Sequence, residues 1–150
     1  MECCRCNIWG IFMKHIFTGL VAVGFFVCPV VSHAQMVDAA QIRPILDATK
    51  NNWVAVREWN GRDLVYFTHL LTWRCGLTKI QYSINSTAVD QNWVFIPCDE
   101  TSPSPMALPP GQKIYGSFKL NSVQTLTVKI TYDDGGVDTV SYQRDAIQIQ

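Results

Sequence analysis

A catalytic thiol at Cys75 or Cys98 would need a histidine base, and beyond residue 34 the chain has one histidine, His69. A thiol nucleophile needs a base within hydrogen-bond reach, and a histidine base needs a nucleophile or carboxylate beside it. His69 lies between Thr68 and Leu70, and its neighbourhood supplies no acid or thiol. A strand through this string places it on the face of Val65, Phe67, Leu71 and Trp73. The expectation is a buried, neutral histidine with one ring nitrogen satisfied. Arg74 follows Trp73, where its guanidinium could stack on the indole. His69, Tyr66, Trp73 and Arg74 are therefore the candidate binding residues, and no catalytic residue is assigned.

No metal or cofactor is expected. One histidine and two cysteines do not complete a zinc set, and Cys3, Cys4 and Cys6 have no second Cys/His pair at zinc spacing. Asp133-Asp134-Gly135-Gly136-Val137-Asp138 lacks the spacing and distal glutamate of a calcium loop. Aspartate and glycine there are what a tight hairpin turn demands for backbone reasons.

The compartment follows from the N-terminus. Lys14 and His15 precede the apolar run Ile16–Val31, which ends in Ser32-His33-Ala34 before Gln35. That is the form of a signal peptide over 1–34, and the run is shorter than the roughly 20 residues of a spanning helix. Met13 would start such a peptide by itself, so residues 1–12 read as an upstream start. Phe25-Phe26-Val27 stand where lipid attachment at Cys28 would require small residues. The expectation is a periplasmic or secreted protein without a stable membrane anchor after cleavage. In that compartment the remaining pair, Cys75 and Cys98, reads as a disulfide.

Residues 35–150 form one domain by length. Of the chain's 12 Lys and Arg only Arg5 and Lys14 lie in the leader, and of its 12 Asp and Glu only Glu2. The balance is near neutral and no run of either sign appears, which argues against nucleic acid as a partner. No polybasic or amphipathic membrane segment is visible either.

The elements that must position these residues are mostly strands. Trp53–Trp59 and Asp63–Trp73 flank Asn60-Gly61, a strong hairpin signal because a type I′ turn needs positive φ. Asp63–Trp73 is apolar on both faces, as a central strand would be. Leu77–Ile84 returns, and Trp93–Ile96 makes a short fourth strand. Lys113–Leu120, Val123–Tyr132 and Val137–Gln143 follow, the last two joined at Asp133–Gly136, and Ile147 and Ile149 extend that edge. Val37–Asn52 is the one helical candidate, with Pro44 in its first turn. Trp53, Trp59, Trp73 and Trp93 are available to fill a core. The pattern predicts an antiparallel β-sandwich of immunoglobulin- or fibronectin-like architecture with one short N-terminal helix, a partly closed barrel being the alternative.

Asp99–Gln112 has four prolines and no periodicity. It reads as a crossover between sheets, and its length also suits a recognition loop. The rim Arg57, Glu58, Arg62 and Asp63 around the first hairpin tip reads as solvated and partly paired.

The string WVAVREWNGRDLVYFTHLLTWRCG, with Pro97-Cys98-Asp99 and Thr131-Tyr132-Asp133-Asp134-Gly135, resembles a group of small exported alphaproteobacterial proteins of unknown function. The resemblance implies a periplasmic protein with a Cys75–Cys98 bridge and brings no catalytic residues. The expected function is a non-catalytic binding or accessory module acting on protein or cell-envelope components. The alternatives are a small-ligand binder or enzyme with a pocket near His69, and an inhibitor using the 99–112 loop.

Overall fold

Asn60 and Gly61 both take positive φ, 49° and 70°, and close the expected hairpin. It joins β1 (Ala55–Trp59) to β2 (Arg62–Tyr66), antiparallel, with Trp59 opposite Arg62 and Ala55 opposite Tyr66. The structure is a computed structural model that describes residues 38–150. The signal-peptide reading of 1–34 and the cysteines at 3, 4, 6 and 28 lie outside the described residues.

The expected long strand Asp63–Trp73 is not formed. The strand stops at Tyr66, and Thr68–Thr72 is a short helix, α2, followed by a 3-10 turn over Arg74–Gly76. The reason is spacing: Phe67, Leu70 and Leu71 are buried while Thr68, His69 and Thr72 are partly exposed. Apolar residues at i, i+3 and i+4 line one side of a helix, and the same residues imitate a strand that is apolar on two faces. His69 consequently sits on a helix rather than mid-strand. The helix carries the chain from one sheet to the other, where β3 (Leu77–Ile84) begins.

The remaining strands are β4 (Gln91–Trp93), β5 (Tyr115–Lys119), β6 (Thr125–Tyr132), β7 (Val137–Gln143) and β8 (Gln148–Ile149). They make two four-stranded sheets, β5-β2-β1-β8 and β4-β3-β6-β7. The fold is a β-sandwich-like arrangement of two largely antiparallel sheets that do not close into a barrel. Ile149 does not extend the β7 edge. After β7 the chain turns through a short helix, α3 (Arg144–Ile147), and β8 pairs in parallel with β1 in the other sheet.

An N-terminal helix, α1, spans Ala39–Ala48 and buries Ala39, Ile42 and Leu46. It starts earlier than Pro44 suggested, because Asp38 is its N-cap and accepts from the Gln41 amide at 3.0 Å. Pro44 is thus inside the helix, not in its first turn. Gly76 lies against α1: a Cβ there would stand 2.6 Å from Ile42 Cδ1. Between the sheets lie Trp53, Val56, Val65, Phe67, Ile80 and Ile130, with Phe67 stacked on Trp93 at 4.2 Å. Trp59 does not join the core and is 59% exposed.

Candidate functional site

The Pro-rich segment passes from β4 in one sheet to β5 in the other, as a crossover connection should. It begins beside β3. Strand pairing between β3 and β4 covers only Ile80–Tyr82 with Gln91–Trp93. Beyond Trp93 the two strands part, and they meet again at the Cys75–Cys98 bridge, whose Cα atoms are 4.8 Å apart. The opening between them is a cleft of about 530 Å³, walled by Lys79, Trp93, Val94, the disulfide and Arg74. Val94 points away from the core and is 84% exposed.

Arg74 sits behind this cleft and is only 3% exposed. Its position in the 3-10 turn after α2 aims the guanidinium into the crossover. Nη2 donates to the carbonyls of Pro105 (2.9 Å) and Ala107 (3.1 Å), and Nη1 to Leu71 (3.3 Å) and Met106 (3.5 Å). Three successive carbonyls of the Pro-rich segment thus converge on one cation. Burial pulls the Arg74 pKa below its ordinary value, and no carboxylate among the described residues pairs with it. Its Nε and the indole Nε1 of Trp93 have no hydrogen-bond partner among the described residues. A second hollow of about 260 Å³ lies on the loop side of Arg74, against Pro105 and Pro109.

The crossover shapes itself locally as well. Asp99 Oδ1 accepts from the amide and hydroxyl of Thr101, at 3.0 and 2.6 Å, and these bonds hold its carboxyl below the usual range. Ser102 Oγ accepts from Ser104 N, and Ala107 N donates to Ser104 O, so the segment is a chain of tight turns. Gln112 Oε1 receives the Ile96 amide at 2.8 Å and ties the outgoing end to the incoming one.

The other two candidate residues are elsewhere. Tyr66 and His69 line a hollow of about 280 Å³ with Asn52, Ala55, Thr68 and Ile149. His69 Nε2 lies 2.9 Å from Thr49 Oγ1, and that hydroxyl donates to Ile45 O at 2.7 Å. A hydroxyl has one proton to give, so Nε2 carries the hydrogen and donates it to Thr49. Burial keeps the His69 pKa below its ordinary value. Neither a carboxylate nor a thiol lines the hollow, so it holds no base paired with a nucleophile. Trp73 is partly buried against the core and takes no stacked cation, the expected Arg74 contact being replaced by the four carbonyls.

Sequence reading missed one polar centre. Asp63, expected in a solvated rim, is fully buried and gripped by Arg144 at 2.8 and 2.9 Å. The amides of Asn121 and Val123 donate to the same carboxylate, and Arg144 also reaches Glu58 at 2.7 Å. The signal was present in the alternation: Asp63, Val65 and Phe67 share one parity, and it is the inward one. Among the other acids, Asp133 accepts from the Ala39 amide, Asp134 pairs with Arg43 at 2.7 Å, and Asp138 accepts from Tyr132 Oη at 2.7 Å. The three carboxylates serve three separate contacts.

No protein-family model, curated protein or solved structure matches the chain.

Proposed function

We propose that this is an exported, non-catalytic binding module that presents the Asp99–Gln112 crossover, in one fixed shape, to a protein or cell-envelope partner. The observation that carries this reading is the use of a buried arginine on loop carbonyls. Burying a guanidinium without a carboxylate is costly, and the cost is met only by several charge-assisted hydrogen bonds. A passive connection needs no such device, because long loops are tolerated with little loss of stability. A recognition loop does gain from it, since order established before binding need not be imposed during binding. The disulfide and four prolines work in the same direction.

An inhibitor that inserts this loop into a partner's cleft is the special case that rigidity favours. The hollow at His69 supports an enzyme less well: its histidine is engaged with Thr49 and faces no acid.

Crest substitutions test the reading while leaving the clamp alone. Glu100, Thr101 and Pro103 are exposed and none contributes a carbonyl to Arg74. Glu100→Lys and Pro103→Arg should leave thermal unfolding unchanged and abolish capture of the partner from the source envelope by the tagged protein. Undiminished capture by both variants would place recognition elsewhere.

A further inference from the structure

The outer face of the β5-β2-β1-β8 sheet has a composition that the linear sequence disperses. Val56, Asp63, Val65 and Gly116 are buried, so the alternate positions of their strands face outward. The register sets Trp59, Arg62 and Lys119 in one row across three strands, and Arg57 two residues along from Trp59. Tyr66 and Tyr115 face each other at the opposite end of the same face. No outward position of these strands is an aspartate or glutamate. The two acids they contain, Glu58 and Asp63, occupy the alternate positions and are both held by Arg144.

The face also exposes apolar side chains. Trp59, Tyr115 and Ile149 are among the exposed large hydrophobic residues. Successive residues on one face of a strand are about 7 Å apart. Arg62 lies about 5 Å across from Lys119 and about 8 Å diagonally from Arg57, within roughly a Debye length of each, so the three act on a charged surface together. The outer face of the other sheet has no aromatic residue on its paired rows: Gln81, Lys129 and Thr139 form one and Lys79, Thr131 and Val137 another, while Ser83 and Thr127 in the next are buried.

We propose that this aromatic and cationic face seats the protein on an anionic lipid surface. Tryptophan and tyrosine with an apolar body and a polar edge settle at the headgroup level, and cations free of acidic neighbours add attraction to anionic lipid. A hydroxyl-rich polymer or a nucleic acid would ask for other groups. Ser117, the outward hydroxyl nearest the cations, already accepts from Arg62 Nε at 3.1 Å. Base stacking wants a free ring face, yet the Trp59 ring lies under Arg57 at 4.9 Å and the two tyrosine rings lean on each other at 5.3 Å. The face is independent of the crossover loop, so one protein could hold a lipid surface and a partner at once.

Vesicle flotation tests the proposal on protein in the form its source accumulates. Vesicles of phosphatidylglycerol mixed with phosphatidylcholine should bind it, vesicles of phosphatidylcholine alone should not, and salt should weaken the binding. Arg57→Gln, Arg62→Gln and Lys119→Gln should each lower partitioning about fivefold, the factor expected per cation at an anionic surface. Brominated lipid should quench the tryptophan emission of the parent and fail to quench that of Trp59→Phe. Lys129→Gln on the opposite face should change nothing. Equal binding to both vesicle types would overturn the proposal. So would full binding by a folded triple variant, or preference for single-stranded DNA or an acidic polysaccharide over vesicles.

Discussion

Two arginines among the described residues are drawn out of solvent and held differently, Arg74 being buried and the Arg144 side chain 12% exposed. Arg144 meets charge with charge: its guanidinium spans Asp63 and reaches Glu58, and both the arginine and its partner carboxylate are further bonded to backbone. Arg74 meets only carbonyl oxygens, and three of the four belong to the crossover. The first arrangement fixes two sheets to each other, because Asp63 is on β2 and Arg144 follows β7. The second fixes an exposed loop to the body. One is internal in its purpose and the other faces outward. The distinction makes Arg144 a matter of stability and Arg74 a matter of loop shape.

The largest effect should follow from splitting the ion pair. Arg144→Met leaves a buried carboxylate with two amides and no cation, and Asp63→Leu leaves the guanidinium with Glu58 and the Val123 carbonyl. Arg144→Met should cost about 3–5 kcal/mol in urea unfolding, the usual penalty for an uncompensated buried charge, and Asp63→Leu less, because its cation keeps two partners. The double variant should cost clearly less than the two singles together. Additive losses would mean that the pair is not a unit. The acid side carries a matching signature. Burial would raise the Asp63 carboxyl, but the Arg144 guanidinium and the amides of Val123 and Asn121 outweigh it and hold the pKa below the ordinary value. Its stabilisation is complete above the unfolded carboxyl value near ~3.9 and is lost as pH falls through the depressed folded value. Arg144→Met should flatten that acid limb.

Next in size is the bridge that closes the loop. Cys75→Ala and Cys98→Ala should each lower stability by roughly 2–5 kcal/mol, and the double variant should be no worse than either single. Arg74→Met should cost less, about 1–3 kcal/mol, because the carbonyls it releases lie near the surface and can take water. Its distinctive result is a faster hydrogen exchange confined to Ser102–Ala107. Arg74→Lys should resemble Arg74→Met, since an ammonium cannot hold four carbonyls in the guanidinium plane. Deleting Ser102–Ala107 should disturb folding, because it removes three acceptors from a buried cation. Retained stability after that deletion would show that Arg74 finds water or other acceptors and that the clamp is incidental.

How far all this was legible can be argued from a few residues. Asn60-Gly61 and the Val137–Gln143 strand follow from local rules that tertiary contacts did not override, the two sheets from the number and spacing of strands, and the Cys75–Cys98 pairing from the two cysteines left beyond residue 34. The helix at Thr68–Thr72 was hidden because Phe67, Leu70 and Leu71 satisfy two periodicities, and only the crossing to a second sheet decides between them. Trp73-Arg74 suggested a local stack, whereas the partners of Arg74 are about thirty residues away in a segment with no periodicity to read. Asp63 was misplaced because its neighbours at the hairpin tip are charged, although its parity was already that of Val65. The outer face of sheet β5-β2-β1-β8 required the register itself: Lys119 joins Arg62 only through the β2–β5 pairing.

The smallest effect separates His69 from both arginine sites. Burial lowers the His69 pKa from its ordinary value of 6.5, while Nε2–H donates to Thr49 in either charge state. The unfolded chain therefore binds the proton more readily than the native one. Stability should fall as pH drops from about 6.5 through the folded value and level off below it, by less than about 1 kcal/mol for a partly exposed ring. The Asp63 limb begins only below the unfolded carboxyl value of about 3.9, whereas the His69 slope begins at about 6.5. His69→Gln should remove the slope near neutrality and leave the acid limb of Asp63 in place. Proton NMR of the imidazole gives the direct reading, with a midpoint below 6.5 expected. A midpoint above it would require an acidic group beside the ring, and the hollow at Tyr66 and His69 would then be the better candidate for chemistry.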